Sequence, residues 1–421
     1  MTPPDHDSPH GGMRPFGDVI SFAEAVSHVN AATRVVEGVD QVPLAAAAGR
    51  VLADALPAPF DVPGFARAAM DGYAVRAADL ADASDVAPVW LRLAGQARPG
   101  VPLERSVDAG SCVDIATGAP LPLGADAVVM VERTRREGHS VRFTQAATAG
   151  DHISPRAHDV AAGAVVLRAG DVLTPARLGV AASLGVRSLH VRRRPLVALI
   201  SSGDELLDAA DASGPPDAGR IYDANRVMLA AICEAAGGAV QALPLVRDTL
   251  DDWRRAFDAA AGADLIVCSG GTSVGEQDFG GDILRERGEV LFHGIAVKPG
   301  KPTAFARLGR QLVLAMPGNP TSCLSNAYVL LRPLVRRLAG LPPLVPVTRE
   351  ATLTRPLTSP HDRLQFHPVR VDGDSAIPAF KGSGDVTSLS DADGYVEVPV
   401  GTTRIEAGAH VTVVLYGPTA V

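Results

Sequence analysis

Residues 195–342 alternate between short apolar runs and amphipathic helical patterns, and no other feature of the sequence restricts the fold as strongly. The apolar runs are PLVALISS, AVQALPLV, DLIVCS and QLVLAM, which are short and in part β-branched, as buried strands are. Between them lie the helical patterns DANRVMLAAICEAAG, TLDDWRRAFDAAAG and GGDILRERG. A last, long helix begins at Asn319 and Pro320. This alternation predicts a parallel sheet covered by helices, so we assign residues 195–342 to an α/β domain.

The helical patterns of this domain carry apolar stripes that we expect in its core. The stripe residues are Val227, Leu229, Ile232 and Ala236 in the first helix and Trp253, Phe257 and Ala260 in the second. In the last helix, Pro333 lies inside the pattern and should kink it, because proline lacks the N–H that the helix needs.

The remainder of the chain indicates further domains, as a length of 421 residues requires. Residues 57–162 consist of short β-like runs broken by Gly, Pro or Asp, which predicts an inserted β-rich domain. Helical signals flank it in 18–56 and 163–194: a capping box at Ser21 and Glu24, a short pattern at 44–50, and a start at Thr174 and Pro175. Residues 343–421 return to short strands and predict a small β-barrel, while residues 1–17 predict a disordered lead-in.

Composition excludes several classes of partner. A formal net charge of −8 argues against a nucleic acid, so small anions fit better than large ones. No apolar run reaches the ~18 residues of a membrane-spanning helix, and the first residues lack the apolar core of a signal peptide, so we expect a cytoplasmic protein. The four cysteines have no metal-ligand spacing and predict reduced, packed thiols.

The loop after the run DLIVCS is the strongest candidate for a ligand site. In SGGTSVGEQD (269–278), Gly270, Gly271 and Gly275 let backbone N–H groups approach an anion, and Ser273 adds a hydroxyl. Asp278, together with Glu276, could hold a divalent cation. The loop therefore predicts a phosphate ester with its metal, and a plain Gly/Ser turn with solvated acids is the alternative.

Three further loops should share the same rim of the sheet, because ligands of open α/β folds bind at the carboxyl ends of the strands. They are SSGDE (201–205), VKPGKP (297–302) and PGNPTS (317–322). Lys298 and Lys301 are fixed point charges suited to an oxyanion, or else part of a charged turn. Asn319 should cap the last helix and leave N–H groups near Thr321 and Ser322 for an anion, although a simple cap explains it as well.

At this point the chain resembles the molybdopterin molybdenumtransferase family, which includes bacterial MoeA and the C-terminal part of gephyrin. The resemblance extends from about residue 18 over nearly the whole chain. Seven stretches carry it in family order: AMDGYAV (69–75), IATGAP (115–120), SGDEL (202–206), IYDANR (221–226), SGGTSVGEQD (269–278), KPGKP (298–302) and PGNPTS (317–322). Each stretch alone is a weak signal, and the ordered set is specific.

The resemblance implies an enzyme that takes adenylylated molybdopterin and molybdate, hydrolyses the adenylate in a Mg²⁺-dependent step, and releases molybdenum cofactor and AMP. It also implies an α/β domain similar to that of the molybdopterin adenylyltransferases. The protein should then be a homodimer with each site shared between subunits, and its partners would include other cofactor-biosynthesis proteins and acceptor apoenzymes.

The resemblance further implies roles for particular residues. Those matching family acids of the catalytic site are Asp71, Asp159, Glu205 and Asp278, of which Glu205, Asp278 and Asp71 would hold the metal. Those matching substrate-binding positions are Thr117, Gly270, Gly271, Ser273, Gly275 and Asn319, with Lys298, Lys301, Ser322, Arg363 and Ser383 forming the molybdate pocket. On local grounds alone Asp71 is a turn acid before Gly72, and Arg363 is a solvated charge at a strand end.

Two departures from the family pattern stand near these positions. Residues 157–159 read Ala-His-Asp where the family usually has Gly-Glu-Asp, and Pro368 stands where relatives often carry a basic residue.

Two other functions fit parts of the sequence. Adenylyl transfer onto molybdopterin would need only the α/β domain, and the two β modules and the AMDGYAV stretch argue against it. A scaffold, as in gephyrin, would not need the acids and lysines kept together.

Overall fold

The computed structural model describes residues 19–101, 103–271 and 279–417. Two compact units make up this part of the chain. The inserted unit comprises Gln41–Ala48 and Leu52–Leu189. The main unit comprises the described residues up to Asp40, Gly49–Val51, and those from His190 onward. The predicted lead-in at 1–17 lies outside the described residues.

The elements from the N-terminal side to the end of the inserted unit are mostly short strands. They are α1 Phe22–Ala32, β1 Val39–Pro43, β2 Leu56–Pro57, β3 Arg67–Ala68, β4 Gly72–Val75, β5 Val89–Ala97, β6 Ser111–Ile115, β7 Ala127–Met130, β8 Thr134–Glu137, β9 Ser140–Phe143, β10 Ile153–Ser154, β11 Val165–Leu167, α2 Pro175–Ser183 and β12 Ser188–Arg192. The helical pattern expected at 44–50 is realised only as a single 3₁₀ turn, Leu44–Ala46, before Gly49 adopts a positive φ of 71°.

The inserted unit is built on one six-stranded sheet with the order β7-β4-β6-β5-β9-β8. Its strands pair antiparallel except β5 and β6, which run parallel. A buried apolar cluster that includes Phe143 of β9 and Leu80, from the segment between β4 and β5, packs against it. The β-rich insertion predicted from the sequence is therefore confirmed as an architecture.

A strained backbone conformation lies in the loop that departs from the family pattern. Ala157 has φ = 61°, in the left-handed region that favours glycine. Hydrogen bonds hold it there, because the Ala157 N–H donates to Pro63 O at 3.0 Å and the Asp159 N–H donates to Val62 O at 3.0 Å. Glycine would adopt this conformation without strain.

We therefore expect Ala157→Gly to raise the free energy of unfolding by about 0.5 to 1 kcal/mol, since relief of the left-handed strain exceeds the added flexibility of the unfolded chain. Denaturant unfolding of the full chain measures it. Ala161→Gly is the matched control, at an exposed position without a positive φ, and it should lower stability. A stability loss in both variants would contradict the strain at Ala157.

The α/β part of the main unit follows β12. Its elements are β13 Leu196–Ser201, β14 Leu206–Leu207, β15 Ile221–Tyr222, α3 Ala224–Ala235, β16 Ala239–Ala242, α4 Leu250–Ala259, β17 Leu265–Ser269, α5 Phe279–Arg287, β18 Glu289–His293, β19 Val297–Lys298, β20 Ala304–Leu308, β21 Gln311–Met316, α6 Pro320–Asn326 and α7 Arg332–Leu338.

The large sheet of this part has the order β16-β13-β17-β21-β20-β18. Its first four strands run parallel, as predicted. The last two, β20 and β18, were not among the predicted strands, and they extend the parallel sheet with antiparallel pairings. The reason is the short turn at Gly309 and Arg310, since a two-residue connection can join only antiparallel strands.

Helices cover both faces of this sheet. Along β13, Val197 and Leu199 pack with α3 and the α6–α7 region, while Ala198 and Ile200 pack with α4 and α5. Of the predicted stripe on α3, Leu229, Ile232 and Ala236 are buried, but Val227 is 60% exposed. Two residues of helix separate Val227 from Leu229 by about 200°, which places it on the opposite face.

The last helical segment is interrupted where proline was expected to disturb it. A π-type turn, Ala327–Leu331, separates α6 from α7, and Pro333 lies in the first turn of α7. Pro333 has no N–H to donate to a carbonyl of the preceding turn. The wider π-type turn before it changes the regular hydrogen-bond pattern there, so the helix tolerates the proline.

The final elements form a closed barrel. They are β22 Thr348–Leu353, β23 Leu357–Thr358, β24 Leu364–Asp372, β25 Ser375–Pro378, α8 Thr387–Ser390, β26 Gly394–Val398, β27 Arg404–Ile405 and β28 His410–Leu415. Strands β24-β25-β22-β28-β26 pair in that order, and β26 pairs back with β24, which closes five strands around a core that includes Val369 and Val413. The predicted C-terminal barrel is confirmed.

Two findings bear on the compositional predictions. All four cysteines are unpaired and buried, and burial raises the pKa of the thiols of Cys112, Cys233 and Cys268 to about 12. They are packed, unreactive side chains, as predicted. Within the described part of the chain, no helix is both long and apolar enough to cross a membrane.

Candidate functional site

The four loops predicted to meet do so at the carboxyl edge of the parallel strands. The ends of β13, β17 and β21 are in register, with Ser201 opposite Ser269 and Ser269 opposite Met316. The fourth loop has a different origin. It joins β18 to β20 of the large sheet, and Ala304 at the start of β20 pairs with Ala315 near the end of β21, so Lys298 and Lys301 lie at the same edge. Within this loop, β19 also pairs with β24 of the barrel. The loop therefore lies at the predicted rim, and only its pairing with the barrel was not expected from the sequence.

The loop after β17 begins with two glycines that no other residue could replace without movement. Gly270 and Gly271 have φ of 82° and 61°. A Cβ added at Gly270 would lie 2.3 Å from Ser202 O, and one at Gly271 would lie 2.3 Å from the Trp253 ring. These contacts hold the loop backbone against the end of β13. The predicted residues Ser273, Gly275 and Asp278, which continue this loop, lie outside the described residues.

A cavity of about 650 Å³ lies at this edge, and we call it the cationic cavity. Eight of the predicted site residues line it: Gly270, Gly271, Lys298, Lys301, Asn319, Ser322, Arg363 and Ser383. Its lining includes three cationic side chains and, among the described residues, no carboxylate. Such a lining favours an anion of more than one charge.

The polar groups of this cavity are held by specific contacts. Asn319 precedes α6, but its side chain makes no capping hydrogen bond; its amide nitrogen instead donates to Ser383 Oγ at 3.2 Å. The Thr321 N–H donates to the Ser383 carbonyl at 3.1 Å. Asn319 is therefore the N-cap residue, as predicted, but its side chain does not cap the helix. Of the N–H groups predicted to face an anion, that of Thr321 is bound to Ser383 instead.

Arg363 and its neighbour form a local ion pair at the cavity wall. Its Nε and Nη2 donate to the Asp362 carboxylate at 3.1 and 3.0 Å, and the guanidinium lowers the pKa of Asp362. Because Asp362 is exposed, this pair is screened by water and leaves Arg363 able to attract an anion. Pro368, farther along β24, is buried opposite Tyr395 and is not part of the lining.

A second cavity, of about 500 Å³, shares Gly270, Gly271 and Asn319 with the first, and we call it the acidic cavity. Glu205 lines it, as do three residues that we did not single out from the sequence, namely Asp223, Asn225 and Asp248. The first two lie in the IYDANR motif. Asp248 follows the apolar run AVQALPLV, and its position after a predicted strand could have marked it as a candidate site residue.

Asp248 is the most perturbed acid of this cavity. Burial raises the pKa of its carboxyl, and the negative charges of Asp204 and Glu205 raise it further. Its Oδ1 is buried with no hydrogen-bond partner among the described residues, and so is Asn225 Oδ1. Asp223 Oδ2 also accepts no hydrogen bond there, but Arg226 Nε lies 3.8 Å from it. Buried acceptors without donors are costly, so these atoms favour a ligand that supplies donors or positive charge.

The remaining predicted residues belong to the inserted unit. The Thr117 N–H donates to Asp71 Oδ1 at 2.7 Å, and this hydrogen bond lowers the pKa of Asp71. Both residues are exposed, and so is Asp159. A backbone donor thus stabilises the charged form of Asp71. A charged carboxylate agrees with the predicted role as a metal ligand and equally with a simple turn residue.

The fold and these cavities define an α/β protein with an anion site at its strand ends. Three family models match the chain: the MoeA N-terminal region (domain I and II) over residues 20–185, a probable molybdopterin binding domain over 198–337, and the MoeA C-terminal region (domain IV) over 350–416. The domain boundaries predicted above stay predictions.

Named relatives agree. The molybdopterin molybdenumtransferase 2 of Mycobacterium tuberculosis H37Rv is 38% identical over 383 residues, covering 88% of this chain and 94% of the relative. The molybdopterin molybdenumtransferase of Haemophilus influenzae is 39% identical over 296 residues, covering 70% and 71%. The crystal structure of a molybdopterin biosynthesis MoeA protein from Pyrococcus horikoshii is similar with a TM-score of 0.82 at 33% identity, covering 95% of this chain and 100% of that one. This chain belongs to the molybdopterin molybdenumtransferase family.

Proposed function

We propose that this protein is a molybdopterin molybdenumtransferase that inserts molybdenum from molybdate into adenylylated molybdopterin and releases molybdenum cofactor and AMP. The observation that carries the proposal is the pair of adjoining cavities with opposite charge. Molybdate is a dianion, and the cationic cavity offers Lys298, Lys301 and Arg363 without a lining carboxylate among the described residues. The acidic cavity next to it offers carboxylates for a metal at the phosphates of the organic substrate.

In this proposal, Mg²⁺ would bind in the acidic cavity. Asp204, Glu205 and Asp248 are close enough for their charges to interact, and the buried Asp248 Oδ1 has no hydrogen-bond partner among the described residues. The part of the chain that the structure describes contains no group of three or more His, Cys, Asp or Glu side chains arranged for a metal. That arrangement is compatible with Mg²⁺, which is often bound by one or two carboxylates together with water and substrate phosphates. Bound there, the ion would neutralise phosphate charge during hydrolysis.

The chain's own residues then have separate roles. Lys298, Lys301 and Arg363 orient the oxyanion, and the backbone at Gly270 and Gly271, which lines both cavities, separates it from the phosphates. Hydrolysis of the phosphoanhydride transfers the AMP group to water, and the adjoining oxyanion is positioned for the molybdopterin sulfurs. Proximity of the two ligands is the main contribution of this geometry.

We expect AMP release from adenylylated molybdopterin to require both Mg²⁺ and molybdate. The acids need a cation to approach phosphates, and hydrolysis is coupled to oxyanion insertion. The assay incubates the full chain with adenylylated molybdopterin and measures AMP with and without each component. Equal AMP without molybdate would refute the coupling, and adenylylation of molybdopterin from ATP would indicate an adenylyltransferase instead.

The homodimer implied by the family is also part of the proposal. We expect mixtures of two inactive variants, Asp71→Ala and Asp278→Ala, to regain part of the activity, since each heterodimer would contain one intact shared site. Subunit exchange is demonstrated with differently tagged chains. Exchange without recovery would place both acids in the site of the same subunit.

We further propose that the reaction takes place in the cytoplasm, where the four unpaired, buried cysteines would stay reduced. Other cofactor-biosynthesis proteins would deliver the substrate, and acceptor apoenzymes would receive the product.

A further inference from the structure

Phe380 forms an aromatic wall of the cationic cavity beside one of its lysines. The Nζ of Lys298 lies 5.9 Å from the centroid of the Phe380 ring, within the range of a cation–π contact. Phe380 is half-buried and lies in the segment between β25 and α8, so it approaches Lys298 from a different part of the barrel. The two residues are 82 positions apart in the sequence, and no periodicity connects them.

A buried histidine supports the ring from another side. The ring of His367 contacts that of Phe380 edge to face, with centroids 5.8 Å apart and an interplanar angle of 64°. His367 is buried on β24, and its Nδ1 lies 3.2 Å from Pro368 O. Phe380 therefore has little freedom to rotate away from Lys298.

Lys298 has no ion-pair partner in the part of the chain that the structure describes. Among the described residues, no carboxylate lies within 4.0 Å of its ammonium group. A carboxylate partner would fix the ammonium but also cancel its charge and repel a dianion. An aromatic face attracts the cation through its quadrupole and carries no net charge, so the cavity keeps its full positive charge.

We propose that Phe380 is a positioning residue for the oxyanion, which acts by holding the Lys298 ammonium over its ring. This inference rests on the proposed function, because it takes molybdate as the anion. It adds a residue that neither a strand-end motif nor the family resemblance marked. Phe380 raises affinity by reducing the side-chain freedom that Lys298 would otherwise lose on binding.

The test is a double-mutant cycle on molybdate binding to the full chain, measured by titration calorimetry. We expect Phe380→Leu to weaken binding about 2- to 30-fold, the range of a cation–π contact, and Phe380→Tyr to stay near the original affinity because it keeps the ring. With Lys298→Met already present, Phe380→Leu should change the affinity by less than about 2-fold. An equal loss in both backgrounds, or no loss from Phe380→Leu alone, would overturn the inference.

A second measurement separates the inference from the proposed function. The chain has only three lysines, Lys298, Lys301 and Lys381, so selective ¹³C labelling of lysine gives few NMR signals. The side-chain signal that Lys298→Met removes should be shifted upfield by the ring, and Phe380→Leu should abolish that shift. A shifted signal in a protein that binds no molybdate would refute the oxyanion assignment and uphold the contact. A signal that Phe380→Leu leaves unmoved would overturn the contact itself.

Discussion

Lys301→Ala should raise the molybdate concentration needed for half-maximal AMP release by about 10- to 150-fold. The reason is the loss of one charge-assisted contact to a dianion, which typically costs about 1.5 to 3 kcal/mol. Lys301 lines the cationic cavity, where no described carboxylate competes with the anion. Excess molybdate should restore the rate, since the substitution removes binding and leaves the acidic cavity intact.

The third lysine provides a matched control for this result. The Nζ of Lys381 lies 2.8 Å from Thr387 Oγ1 and 3.0 Å from Asp391, and the residue does not line the cationic cavity. Lys381→Ala removes the same charge from the chain and should leave the molybdate requirement unchanged. A similar increase in both variants would show that overall charge, and not the cavity, determines the requirement.

Local sequence patterns predicted those parts of the fold that depend on neighbouring residues. The capping box at Ser21 and Glu24 is present, with hydrogen bonds in both directions, because its two partners are three residues apart. Leu229 and Ile232 are buried because a 3.6-residue period places them on one face. Val227 does not fit that period, and closer attention to the spacing would have excluded it.

Pairing between distant segments could not be read in the same way. Nothing near Val297 and Lys298 reveals that β19 joins the barrel sheet through β24, since β-pairing depends on residues more than 60 positions away. The contact of Phe380 with Lys298 is of the same kind. Asp248 was missed because β16 ends at Ala242, and the chain continues to Val246 before it bridges to Ser202 at the rim.

The charge separation between the two cavities likewise appears only in three dimensions. Glu205 and Asp248 precede Lys298 and Lys301 in the same part of the sequence, but the fold places the two acids in one cavity and the two lysines in the other. The backbone at Gly270 and Gly271 lies between these sets because only glycine permits its close approach to Ser202 and Trp253. A substitution in one set should therefore affect one ligand.

Asp278→Asn should reduce AMP release on the order of 10²-fold or more, and no concentration of molybdate should restore it. The substitution keeps the size of the side chain and removes the negative charge proposed to hold Mg²⁺, whose contribution lies in stabilising charge at the phosphates. Thermal unfolding should match that of the unsubstituted chain. Asp251→Asn is the control, since Asp251 is a largely exposed acid on α4 whose nearest cation, on Arg254, lies 3.7 Å away.

The variants Asp278→Asn and Lys301→Ala distinguish the two proposed roles, because each variant should be rescued by a different ligand. High Mg²⁺ should partly restore Asp278→Asn, because a weakened site can be filled by mass action, and high molybdate should restore only Lys301→Ala. Each rescue is measured as AMP released over a titration of one ligand with the other held in excess. If molybdate restored the aspartate variant and left the lysine variant inactive, the roles of acid and lysine would have to be exchanged. If Asp278→Asn unfolded, Asp278 would be a structural residue and the metal would have to be assigned to Glu205 and Asp248.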